Sequence, residues 1–263
     1  MDYGLRGQVA AITGGSEGIG LATALALCAE GAQVAICGRR AEVLELASLA
    51  IRKADKGNRV FAMPVDLMSA GEPERFIEET VKHFGRIDIL VNNAGREALG
   101  VFETTDDEAW QADIDLKLFA TIRAVRAAIP HMRKVGGGRI INMTHVGAKQ
   151  PRARSMPTSV TRAAGIALTK ALSKELASDR ILVNTVCVGI IQSGQWKRRR
   201  EAANPPISVE EQERQIVADR GIPLGRIGTS EEVASIITYL ASKPAAYITG
   251  AAINVDGGLC SVT

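Results

Sequence analysis

The sequence predicts a doubly wound α/β fold, and three observations carry that prediction. Short β-branched runs alternate with longer helical stretches along the whole chain. The runs are apolar on both faces, as strands of a parallel sheet covered by helices must be. A glycine-rich loop joins the first run to the first helix, the usual start of such a sheet. In order, the strand candidates are QVAAIT (8–13), AQVAIC (32–37), RVFAMPV (59–65), IDILVNN (87–93), RIINMT (139–144), ILVNTV (181–186) and AAINV (251–255). The first helix runs from the glycine loop to Gly31, where a glycine suits the helix end. Longer helices are expected over 105–134 and 157–178. Residues 190–225 are the least regular stretch, and a lid over the ligand face is expected there, with Trp196 as an apolar lid residue.

The chain has 263 residues, 46% hydrophobic and 23% charged, which suits one domain spanning 1–263 with a core that needs no disulfide staples. Its cysteines, Cys28, Cys37, Cys187 and Cys260, form no CxxC pair and no zinc-type cluster, so no metal is expected and the thiols read as reduced. A net charge of +3 is too weak a basic balance to imply nucleic acid. No apolar run approaches the ~20 residues of a membrane span. The N-terminal residues lack a charged-then-apolar leader, so a cytoplasmic location is expected.

The first strand enters TGGSEGIG, Thr13 to Gly20. Strand before and helix after turn this glycine pattern into a phosphate site. Gly14 allows a tight turn, Gly18 lets backbone approach a pyrophosphate, and Gly20 lets helix pack on strand. Ser16 and Ile19 belong to the same loop, whose helix N-terminus offers free N–H groups and a positive dipole end. The second strand ends in CGRR, with Gly38 where a free 2′-hydroxyl would call for an acid. Arg39 follows and can fork around a 2′-phosphate, so NADP is expected in preference to NAD.

With TGGSEGIG (13–20), VDL (65–67), NNAG (92–95), GRIINM (138–143), LVNTVCVG (182–189), PLGRIG (223–228) and YITGAAINVDGG (247–258), the chain resembles the short-chain dehydrogenase/reductase family over nearly its whole length. The resemblance implies a single Rossmann-like domain, a seven-stranded parallel sheet with helices on both faces, NAD(P)(H) as cofactor, and a homotetramer or homodimer. It also implies that Asp66, with Leu67 beside it, contacts adenine. Asn92, Asn93, Ala94 and Gly95 would shape the pocket behind the adenosine ribose. Val188-Gly189, where the family usually has Pro-Gly, and Ile191 would lie beside the nicotinamide.

The family's chemistry usually needs an Asn, a Ser, a Tyr and a Lys. Matching from Gly138-Arg139-Ile140 puts His145 at the serine position, and matching back from Asn184 puts Arg162 at the lysine and Thr158 at the tyrosine. Trp110 and Gly138 place Lys117 at the asparagine, so the resemblance departs from its pattern at all four positions. An alkyl alcohol such as Thr158 is far less acidic than a phenol, whose pKa is about 10. Its place beside Pro157 at a helix start also suits a cap. Arg162 can bind ribose hydroxyls but cannot usefully deprotonate. His145, just after a strand's C-terminal end, titrates near neutrality, and neighbouring cations would lower its pKa. Lys117 could titrate near neutrality if desolvated beside another cation.

The catalytic-side segments also carry Arg96, Lys149, Arg152, Arg154 and the run Lys197 to Arg200. Convergence of several of these cations would favour an anionic small-molecule substrate. Three functions follow: an NADP-linked oxidoreductase of a carbonyl/alcohol pair with His145 or Lys117 replacing tyrosine, a nucleotide-binding pseudoenzyme or partner subunit, and non-redox acid–base chemistry at His145.

Overall fold

The computed structural model describes residues 2–54, 60–192, 194 and 207–263. Trp196 and the Lys197–Arg200 run lie outside these described residues. Seven parallel strands form the main sheet, in the order β3 (Val60–Pro64), β2 (Gln33–Gly38), β1 (Val9–Thr13), β4 (Ile89–Asn92), β6 (Gly138–His145), β8 (Ile181–Val188) and β9 (Ala252–Val255). Each corresponds to one of the apolar runs read from the sequence.

Alternation along the strands feeds two cores, because successive side chains point to opposite faces. Ala10, Ile12, Val34 and Ile36 join one face, with Leu27 of α1 (Gly18–Ala29), Leu44 and Ile51 of α2 (Ala41–Ala54), and Val233 and Ile237 of the late helix Ser230–Ala241. Ala11, Ala35, Leu90 and Ile140 join the other, with Phe76 and Ile77 of α3 (Glu72–Phe84) and Ala124, Ala128 and Met132 of α5 (Ala120–Lys134). Strand order reverses between β1 and β4, and the strands' C-terminal ends open a crevice there, as the doubly wound topology dictates.

The expected helix over 105–134 is not continuous. It is α4 (Asp107–Ile114), a π-helical turn at Asp115–Phe119, and α5. Such wide turns recur at functional sites, and nothing in DLKLF marks one in sequence. A two-residue antiparallel pairing of β5 (Leu99–Gly100) with β7 (Met156–Pro157) ties the chain after β4 to the start of α6 (Thr158–Glu175). In the 190–225 stretch, the described part folds as α7 (Val209–Arg220), capped by Ser208 and closed by Gly221 at φ +65°. The following helix, α8 (Ser230–Ala241), starts on a complete capping box between Thr229 and Glu232. Among the described residues no helix is long and apolar enough to cross a membrane, and no cluster of His, Cys, Asp or Glu could hold a metal.

Candidate active site

The crevice encloses about 470 Å³ and runs from the glycine loop to the end of β6. At one end, Gly14 (φ +66°) and Gly18 (φ +54°) hold backbone that side chains rarely adopt. A Cβ on Gly20 would collide with the Gly14 carbonyl oxygen and approach Asn93 Nδ2 within 2.6 Å, so α1 packs against the loop only because that residue is glycine. Asn93 braces the loop by donating Nδ2–H to the Thr13 and Gly14 carbonyls at 3.0 Å each. The side chain preceding α1, Glu17, makes no cap and no acid stands in the first helical turn, so the helix presents open N–H donors. This cradle fits the diphosphate of a dinucleotide. Ser16, Ile19, Ala94, Gly95, Gly189 and Ile191 continue the same wall.

Five residues named from the sequence for the cofactor stand outside the lining. Gly20 is buried beneath the loop, Asn92 is buried in the sheet and donates Nδ2–H to Asn142 Oδ1 at 2.8 Å, Leu67 is in the core, and Asp66 is exposed, accepting from the Met68 N–H in a turn after β3. Arg39 is exposed at the end of β2; its neighbour Arg40 is the one paired with Glu17.

At the other end stand His145, Thr158 and Arg162. His145 Nδ1 accepts the Gly147 N–H at 2.9 Å, which in the neutral ring leaves the proton on Nε2. Burial, then the Arg162 charge, lowers the His145 pKa, so the ring is neutral at physiological pH. Arg162 donates to the Met143 carbonyl and fills the space where Gly95 would carry a Cβ. Burial lowers its pKa to about 10 against the opposing pull of Asp113, so it stays cationic.

Thr158 does not cap its helix. Its Oγ1 donates to the Ala98 carbonyl at 2.7 Å and accepts from the Ala98 N–H at 2.9 Å and from Lys117 Nζ at 2.7 Å. Lys117 is not on the crevice wall; its side chain is 0% exposed, behind Thr158, in an ion pair with Asp113, whose side chain is 1% exposed. Asp113 also accepts the Thr161 hydroxyl at 2.6 Å. Desolvation first, then Arg162, brings the Lys117 pKa down to about 8 despite Asp113. The site is therefore a neutral imidazole and a hydroxyl on the wall, with an easily deprotonated ammonium one hydrogen bond behind.

Sequence reasoning missed Asp113, although it sits four residues before Lys117 at helical ion-pair spacing. It also missed Arg220, which reaches the crevice from α7. Lys149 departs from the expected cluster: it donates to the Ala252 carbonyl and Asn254 Oδ1, both at 2.7 Å.

Residues 14–260 match the family model described as enoyl-(acyl carrier protein) reductase. The chain belongs to the short-chain dehydrogenase/reductase family. Within this family, it is 38% identical to a 3-oxoacyl-[acyl-carrier-protein] reductase of Synechocystis sp., over 97% of this chain and 98% of the relative. Among solved structures, the NADPH-bound short-chain oxidoreductase of Pseudomonas aeruginosa, described as containing an atypical catalytic center, superposes with a TM-score of 0.92 at 38% identity, covering 97% of this chain and 98% of that one. The L-sorbose reductase of Gluconobacter frateurii, complexed with NADPH and L-sorbose, superposes with a TM-score of 0.95 at 34% identity over 100% of both chains. As a family member with reductases throughout these matches, the chain is an oxidoreductase of the short-chain type.

Proposed function

We propose that the protein is an NADP(H)-linked reductase of a carbonyl compound, working with an active site in which Lys117, Thr158 and His145 replace the family's tyrosine chemistry. The observation that carries this reading is the hydrogen bond from buried Lys117 to Thr158, a residue on the crevice wall. Bound NADPH would supply the hydride. The first turn of α1 with Gly14 and Gly18 would hold the diphosphate, and Arg39 would grip the 2′-phosphate. Arg162 would hold the nicotinamide ribose hydroxyls.

The chain's own residues then manage one proton. Neutral His145 donates its Nε2–H to the carbonyl oxygen and polarises it without transferring the proton. The Thr158 hydroxyl turns from the Ala98 carbonyl to the developing alkoxide and releases its proton there. Lys117 Nζ replaces that proton and is left as the neutral amine, opposite Asp113. A lysine near pKa 8 is suited to this step, because its protonated form dominates at neutral pH and gives up its proton at little cost.

A second reading, a nucleotide binder without turnover, draws on the same hydroxyl: Thr158 already makes the one donation and two acceptances that a hydroxyl can make. Fluorescence titration with NADPH and NADH, for the native chain and for His145→Ala and Arg162→Ala, tests the cofactor half. Tighter binding of NADPH than NADH is expected, with His145→Ala unchanged. NADPH consumption with a carbonyl panel that includes a 3-oxoacyl thioester and L-sorbose then separates the two readings. No binding of either nucleotide would end both.

A further inference from the structure

Five arginines and two glutamates supply the charged side chains of the crevice among the described residues. Arg162 is committed to the Met143 carbonyl, and Glu17 to Arg40. The remaining cations come from separate elements: Arg96 after β4, Arg152 and Arg154 before α6, and Arg220 at the end of α7. None of these four is ion-paired with a described carboxylate.

Their position is at the reacting end. A Cβ on Gly147 would lie 3.0 Å from His145 Nδ1 and 3.3 Å from Ser159 Oγ. Ser159 Oγ donates to Ser155 Oγ at 2.8 Å, and Ser155 Oγ donates to the Arg152 carbonyl. His145 and Ser159 thus both lie close around Gly147, and these two hydrogen bonds tie the Arg152 end of the loop to the start of α6 at the same end of the crevice. Glu97, Arg220 and Arg152 all act electrostatically on the His145 ring, so this carboxylate, which has contacts of its own, and the two guanidiniums share its end of the crevice. Arg154 sits at φ +61°, a left-handed conformation that a side chain rarely adopts. Strain of this kind concentrates at ligand sites, and here it belongs to an arginine on the crevice wall. The last turn of a helix also suits Arg220 through the helix dipole, but that role does not require it to reach the crevice.

The geometry points to an oxyanion-recognising end of the active site, formed by Arg152, Arg154 and Arg220, which selects a small carbonyl substrate carrying a carboxylate or phosphate away from the reacting carbon. This inference rests on the reductase reading for the word substrate; the anion site itself stands on the arginines.

Calorimetry on the full chain loaded with NADP+, which cannot reduce a carbonyl, separates the two. Acetoacetate is compared with methyl acetoacetate, and dihydroxyacetone phosphate with dihydroxyacetone. The expected result is that an anion binds about tenfold or more tightly than its neutral partner, as charge-assisted arginine contacts require, and that the gap narrows at high salt. The gap should close in the double variant R152Q/R220Q while NADP+ affinity, the check on folding, is retained. Which pair shows the gap tells carboxylate from phosphate. Neutral partners binding as tightly as the anions, a gap that survives the double variant, or anions that bind by displacing NADP+ would each overturn the inference. Loss of NADPH consumption with the anion preference intact would instead count against the reductase reading alone.

Discussion

Lys117 shows how one substitution changes what its neighbours can do. With its side chain wholly buried, the ammonium depends on Asp113 and Thr158 for all the compensation it has. Lys117→Met alone leaves the Asp113 carboxylate buried without its cation, and a loss of about 3–5 kcal/mol is expected in chemical denaturation. Asp113→Asn/Lys117→Met removes both charges and should recover most of that stability. The Thr158 hydroxyl is the link between Lys117 and the crevice, so Thr158→Val should lower turnover by ~10²–10⁴ with little change in NADPH affinity, read from steady-state rates beside a fluorescence titration. Sequence placed Lys117, Thr158, Arg162 and His145 in one neighbourhood through the matched motifs. It could not place Lys117 behind Thr158, because that depends on the π-helical turn and on the β5–β7 pairing, both tertiary features.

The elements that were legible are those with strong local signals. All seven strands follow from apolar runs between turn residues, and α1 from its glycine loop. The loop's glycines also make a sharp prediction at this scale. A methyl group at Gly20 meets backbone, the Gly14 carbonyl, which cannot swing aside as a flexible side chain would. Gly20→Ala should therefore shift the loop and weaken NADPH binding about tenfold or more, measured by titration, while a Gly165→Ala control, at ordinary helical backbone with no neighbour within 4 Å of its added Cβ, leaves cofactor affinity unchanged. The interruption at Asp115–Phe119 was not legible, since the run lacks the Gly and Pro residues that usually announce one.

At the scale of the whole molecule, the reversal of strand order between β1 and β4 puts the glycine loop and the group of His145, Thr158 and Arg162 at opposite ends of one crevice. The crevice arginines come from the stretch after β4, the loop before α6 and the end of α7, far apart in sequence, which is why composition alone could not show them as a group. The second strand's end bears on cofactor choice in the same way: Glu17 is occupied by Arg40, and Arg39 has no described acidic partner. Arg39→Ala should erase most of the preference for NADPH over NADH, about 10–100-fold, when the two dissociation constants are compared. The most direct test of the central claim is the pH profile of kcat/KM for NADPH-dependent carbonyl reduction, in the native chain and in Asp113→Asn/Lys117→Met. Lys117 donates only while protonated, and its pKa is lowered to about 8, so the native rate should hold near neutrality and fall above about pH 8. The double variant should be slower by ~10²–10⁴ and should lose that alkaline limb, with NADPH affinity intact. A native profile that stays flat through pH 8 and above, or a double variant with native rates, would contradict the account.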